Sequence, residues 1–159
     1  SFWVSIYALN IAHDLENRGM KINFSDLLQK TLIYDFEESQ TGDIIRTFKY
    51  SSDDMINTIK KAEKKLVQQY FSSAFDKKTA IKLQDIWEDS KDLSIEGRIV
   101  ALCDFLSVLS YCIEEIKFGN THMKAVLENA CNTLYKAKFD ERLLPYIISS
   151  LKVAKKYYR

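Results

Sequence analysis

A chain of 159 residues that is 47% apolar and 13% aromatic has material for a real core and does not have the composition of a disordered segment. Its 23 basic and 22 acidic residues leave a formal charge of +1, which argues against bulk electrostatic attraction to nucleic acid or to an anionic membrane. No apolar run is long enough to span a bilayer, the opening residues carry no signal-peptide pattern, and four glycines with one proline are too few turn formers for a strand-rich fold.

Phe2, Ile6, Leu9 and Ala12 or His13 recur at three- and four-residue spacing and predict a helix to about Arg18, with Gly19 as its stop. Phe2 and Trp3 already belong to that pattern, so the chain is expected to begin inside a helix whose start is missing. Asn23 or Ser25 caps a second helix, which carries Leu27, Leu28, Leu32 and Ile33 on one face and ends near Phe36. Residues 37–50 read as an irregular, acid-rich connection. Ser52 opens a third helix whose stripe is Met55, Ile59, Ala62, Leu66 and Tyr70. Its outer face, with Lys60, Lys61, Lys64 and Lys65 around Glu63, reads as solvated surface rather than a rim for phosphate. Ala80, Leu83, Ile86 and Trp87 mark a shorter fourth helix.

Ser94 to Gly97 has the form of a helix start, and the apolar run Ile99 to Ile116 comes next, closed by Gly119 and Asn120. Apolar on almost every side, this is expected to be the central and most buried helix. Two more helices, over 121–138 and 141–157, complete the pattern, with Pro145 in the first turns of the last, where its missing amide is harmless. The expectation is an all-α bundle of six to seven helices, forming one domain over residues 1–159. Cys103, Cys112 and Cys131 are odd in number, widely spaced and set in apolar patterns, so they read as buried free thiols of a reducing compartment.

Two features exceed what a bundle needs. The end of the second helix runs into Tyr34-Asp35-Phe36-Glu37-Glu38-Ser39-Gln40-Thr41-Gly42-Asp43, four carboxylates beside an apolar helix end, an arrangement that incurs desolvation and repulsion if buried. Asp104 sits in the middle of the most apolar run. A carboxylate there needs a donor or a cation, or it becomes protonated. A neighbouring arginine or backbone amide is one account and a metal ion is the other; the residues alone leave both open.

The spacing Asp35-x-x-Glu38-x-x-x-Gly42-Asp43 resembles the signature of the HD-domain metal phosphohydrolases, and within them the YfbR-like 5′-deoxynucleotidase group. The stretch from Ser94-Ile95-Glu96-Gly97 to Asp104, continuing through Cys112-Ile113-Glu114-Glu115-Ile116 to Gly119-Asn120, is similar to the family helix that carries the final metal-binding Asp. Ser1-Phe2-Trp3-Val4-Ser5 resembles the family's helix start just after a ligand His, a His that would lie immediately before Ser1. The resemblance implies a bundle in which two His and two Asp hold a divalent cation, which lowers the pKa of bound water for attack on a phosphate ester. It makes Asp35 and Asp104 metal ligands converging on one pocket. Glu38 becomes a water-orienting acid or base, and Asp43 a group near the leaving sugar oxygen or behind the ligands. It further implies Mn, Co, Ni, Zn or Mg as the cation, deoxynucleoside 5′-monophosphates or other phosphate esters as ligands, a homodimer, and the cytoplasm as location.

One residue departs from the family pattern. Tyr34 stands where the signature has its His, and a phenol with a pKa of about 10 stays protonated at neutral pH, a poor ligand for a divalent ion. His13 and His122 fall on no ligand position; His13 reads as a satisfied surface or core residue and His122 as an exposed one. The resemblance admits two functions: a metal-dependent phosphohydrolase with an altered site, or a catalytically degenerate bundle that serves as a nucleotide-binding or dimerisation module. Nucleic-acid binding through the Lys60–Lys65 face is disfavoured by the balanced charge and the lack of a recognition-helix pattern.

Overall fold

The computed structural model describes residues 2–158, apart from the side chain of Arg46. Helices are the regular element throughout: α1 (Phe2–Asn17), α2 (Phe24–Ile33), α3 (Glu38–Thr41), α4 (Arg46–Lys49), α5 (Asp53–Ala74), α6 (Lys77–Glu88), α7 (Ile95–Lys117), α8 (Met123–Lys136), a 3-10 turn (Glu141–Leu143) and α9 (Leu144–Tyr158). Among the described residues there is no strand, and seven of the helices are ten residues or longer, in keeping with the expected bundle. The supposed irregular connection contains the single-turn helices α3 and α4. No described helix is long and apolar enough to cross a membrane. Ser1, the first residue of the Ser1-to-Ser5 stretch, lies outside the described residues.

The chain forms two compact units, one from Ser1–Thr31 with Lys91–Arg159 and the other from Leu32–Ser90. In the first, α7 packs against α1, α8 and α9. Val4, Ala8, Ile11 and Leu15 of α1 are buried, as are Leu27 of α2, Ile99, Val100, Leu102 and Cys103 of α7, Leu127 and Leu134 of α8, and Ala154 of α9. Each large aliphatic side chain among them contributes about 1.5–3 kcal/mol on burial. The expectation for α7 holds for its first half only. Beyond Leu102, Val108 and Tyr111 are exposed, so one side of the second half faces outward. The three thiols are buried and unpaired, as expected, and burial pushes the Cys103 thiol far above its ordinary range.

The start of α7 is tied to α2 by polar groups that periodicity does not announce. Ser94 caps the helix, its Oγ accepting from Gly97 N at 3.0 Å. Lys30 of α2 is only 4% exposed, and its ammonium meets Asp26 at 3.2 Å, Asp92 at 3.1 Å and Ser94 Oγ at 3.2 Å. Burial alone would lower its pKa, but the hydrogen bonds to Asp92 and Asp26 outweigh that and hold it above the usual lysine value. Glu96 completes the joint by accepting from Asn23 N at 2.7 Å. Gly97 is required there: a Cβ at that position would lie 2.6 Å from Asp92 N and 2.8 Å from Asp92 O.

In the second unit α5 packs on α6, and α4 on α5. Ile33, Val67, Phe71 and Ala80 form the core, with Phe36, Leu83, Ile86 and Trp87 packed against it. The α5 stripe keeps Ile59 from the expected set and beyond it runs one position later. Ile59, Glu63, Val67 and Phe71 are buried, whereas Ala62 and Tyr70 are exposed. Glu63 can occupy a core position because Lys49 Nζ donates to its Oε1 at 2.8 Å. Leu32, expected on the buried face of α2 beside Ile33, is 71% exposed.

Candidate functional site

The acid-rich segment is shaped by the apolar residues on either side of its bend. Ile33 and Tyr34 are buried, and the Phe36 ring sits 4.6 Å from that of Phe71 and 5.0 Å from that of Tyr70. With two anchors three residues apart, the backbone must turn sharply: Phe36 N donates to Ile33 O at 3.0 Å and Glu38 N to Asp35 O at 3.1 Å. The single turn of α3 comes next and ends at Gly42, whose φ of +70° is in the left-handed region and whose N–H donates to Glu38 O at 2.9 Å.

This bend sorts the four carboxylates. Asp35 and Glu37 are half-buried, while Glu38 and Asp43 are exposed to solvent. The desolvation penalty expected of the cluster is therefore largely avoided. Glu37 accepts a hydrogen bond from Trp87 Nε1 of α6. Tyr34, Asp35 and Glu38 are each engaged by a partner. All of these residues belong to the 32–90 unit.

Asp104 belongs to the other unit, on α7. Its side chain is 35% exposed, so it is not the deeply buried acid that the apolar run suggested. One partner is a lysine: Lys91 Nζ donates to Asp104 Oδ2 at 2.8 Å. Sequence reasoning missed Lys91. The only signal for it was general, that an acid in an apolar helix requires a cation. It also gave no partner for Glu37, Trp87, Lys49 or Lys30, whose pairings join segments remote in sequence.

Among the described residues no group of three or more His, Cys, Asp or Glu is placed to hold a metal ion. His13 is on the surface, 3.5 Å from Glu16 and with its ring 4.6 Å from that of Phe24, and His122 is exposed at the start of α8. The cysteines are buried, with their thiols pushed upward, and so are unsuited to act as thiolate ligands. Within residues 1–159 the expected donor set comprises two carboxylates, Asp35 and Asp104, and the buried phenol of Tyr34, with an ammonium on Asp104. These groups by themselves do not fit a tightly held transition ion. Two surface cavities of the first unit, about 180 Å³ beside Tyr7 and Tyr146 and about 250 Å³ beside Tyr135 and Lys155, include none of the candidate residues.

The sequence profile of the family described as 5′-deoxynucleotidase YfbR-like matches residues 1–146. No curated protein matches the chain at a significant level. Among solved structures, an HD-domain phosphohydrolase from Listeria innocua superposes with a TM-score of 0.75 at 22% identity, over 98% of this chain and 71% of that one. At that identity the structural match shows the fold, which is the HD-type helical fold. The profile match covers every candidate site residue, and the chain belongs to the YfbR-like 5′-deoxynucleotidase family: it is an HD-domain phosphohydrolase-like protein, in a superfamily that generally depends on a divalent metal.

Proposed function

We propose that this member of the YfbR-like family acts on deoxynucleoside 5′-monophosphates, releasing phosphate, through a metal centre weakened by Tyr34. Asp35 and Asp104 are the carboxylates for the cation, Glu38 the water-orienting acid or base, and Asp43 the group nearest the leaving oxygen. The observation that carries the reading is the retained spacing of Asp35, Glu38, Gly42 and Asp43 within the family match, with Glu38 and Asp43 exposed to solvent. A core gains nothing from an added acid, so solvent-exposed acids such as Glu38 and Asp43 at the family's spacing support a role toward a ligand. The proposal extends to a divalent cation among Mn, Co, Ni, Zn and Mg, to a homodimer, and to the cytoplasm.

The chain's own residues set the limits of the chemistry. Where no His joins them, two carboxylates suit hard cations bound weakly, and the phenol of Tyr34 adds little at neutral pH. Turnover is therefore expected to need added metal. The test is metal analysis of the purified protein, then phosphate release from a panel of deoxynucleoside monophosphates with added Mn or Co. Tyr34→His is expected to raise both metal content and release. Absence of phosphate release from the wild type and from Tyr34→His, with metal supplied, would overturn the hydrolase reading.

A second reading is favoured by the same two departures, Tyr34 at the ligand position and Lys91 on Asp104. In it the bundle is catalytically degenerate and serves as a nucleotide-binding or dimerisation module. Binding of a deoxynucleoside monophosphate in equilibrium dialysis, without phosphate release in either variant, would select it.

A further inference from the structure

We infer that Lys49 holds the phosphate of the bound nucleotide, its ammonium fixed beside the acid bend by the buried carboxylate of Glu63. The inference rests on the reading of a deoxynucleoside monophosphate as the ligand, and it adds a residue that the signature spacing does not contain. Glu37, Lys49, Glu63 and Trp87 all belong to the 32–90 unit.

A phosphate monoester carries about 1.5 to 2 negative charges at neutral pH. The bend presents Asp35, Glu37, Glu38 and Asp43 to it, so binding there needs a cation to offset the repulsion. Lys49 closes α4, the first helix after Asp43. Glu37, which accepts from Trp87, lies near enough for its charge to act on that lysine. Burial acts to lower the Lys49 pKa, but the hydrogen bond and the charge of Glu63 outweigh it and hold the group above the usual lysine value. Lys49 is therefore an ammonium wherever a nucleotide is a dianion. Its Nζ donates to Glu63 Oε1 at 2.8 Å, and among the described residues this is its one hydrogen bond. An ammonium has three donors, so two are left for a ligand. The side chain is 25% exposed, which leaves it open to approach from solvent.

Stability does not account for the pair. Glu63 stands in the core stripe of α5 between Ile59 and Val67, with its side chain only 9% exposed. Buried charges lose their hydration, and apolar residues of similar volume in their place are often neutral or stabilising. A buried carboxylate does what a leucine cannot: it keeps a lysine in one place. An ammonium ordered in advance loses little freedom when phosphate arrives, unlike the solvated lysines on the outer face of α5. Lys64 of that face is already engaged by Glu88 at 2.8 Å.

Equilibrium dialysis of deoxyadenosine 5′-monophosphate and of deoxyadenosine against the full chain, with a chelator present, separates the lysine from any metal. Two neutral pairs, Lys49→Met/Glu63→Leu and Lys49→Gln/Glu63→Gln, remove the ammonium without stranding the Glu63 charge, and circular dichroism checks their folding. Lys61→Met, which removes a charge from the exposed face of α5, is the control. The expected result is monophosphate binding weakened by about ten- to hundredfold in the neutral pairs, the range of hydrogen bonds to a charged group. Deoxyadenosine binding stays unchanged, and Lys61→Met behaves as wild type. Unchanged monophosphate affinity in the neutral pairs, an equal loss for deoxyadenosine, or an equal loss in Lys61→Met overturns the inference. Wild type that binds no monophosphate under chelation, yet releases phosphate with Mn²⁺ supplied, overturns the lysine anchor and leaves the hydrolase reading standing. Absence of both binding and release overturns the two together.

Discussion

Gly97→Ala is the sharpest probe of the joint that carries Lys91. In an ordinary helix position the change stabilises by about 1 kcal/mol, because alanine loses less backbone entropy than glycine. At this position the new Cβ would lie 2.2 Å from Asp92 Oδ1, 2.6 Å from Asp92 N and 2.8 Å from Asp92 O. Two of those atoms are backbone, so relief requires the 91–93 segment to move by roughly an ångström to reach ordinary contact distance. Overpacking of that kind costs about 1–3 kcal/mol. The shift also draws Asp92 away from Lys30, a buried ammonium that keeps Asp26, and this adds about 1 kcal/mol, well short of the 3–5 expected for a wholly stranded charge. Set against the helix-propensity gain, the net loss is about 2 kcal/mol, or roughly 4–8 °C in Tm for a chain of this size. Thermal unfolding followed by circular dichroism measures it. An unchanged or raised Tm would refute the reasoning, since it would mean that the Asp92 contact yields at no expense and that the start of α7 is not held as described.

Phe71→Ala removes a ring that is 2% exposed and packs 4.6 Å from Phe36, so a loss of about 3–5 kcal/mol is expected, with faster hydrogen exchange at residues 36–42; a loss below about 1 kcal/mol would show that the acid bend does not depend on this core. Asp140 gives a pH signature. Its hydrogen bonds to Arg142, at 2.6 Å each, hold its carboxyl down to about 2 from an ordinary value of 3.8. A folded value below the unfolded one contributes stability that is complete above about pH 4 and disappears as pH falls through about 2. Because Arg142 is half exposed, the contribution is on the order of 1 kcal/mol. Urea unfolding between about pH 5 and pH 2 should show Asp140→Asn converging on the wild type at the acid end; curves separated by a constant amount would refute the assignment.

Helix periodicity and capping made most of the architecture legible from the chain itself. Ser52 and Ser94 were readable as helix starts, and in the structure each hydroxyl accepts from a free amide of its first turn. Gly19 was readable as a stop because only glycine adopts its φ of +87° without strain. The acid motif was readable as a string, and the family match bears out the identification it suggested. Local pattern, however, carries no information on which remote groups meet. Glu63 counts as a surface residue in any window of sequence, yet Lys49 allows it into the core stripe. Leu32 counts as core, yet it is exposed because the bend after Ile33 turns its neighbours inward without it. Asp104 asked for a cation that no spacing rule supplies, and tertiary structure answered with Lys91. Helix periodicity and helix ends depend on neighbours within a turn or two, so the chain determines them alone; charge pairing and the burial of residues such as Glu63 and Leu32 depend on distances through space, and only the folded molecule decides them.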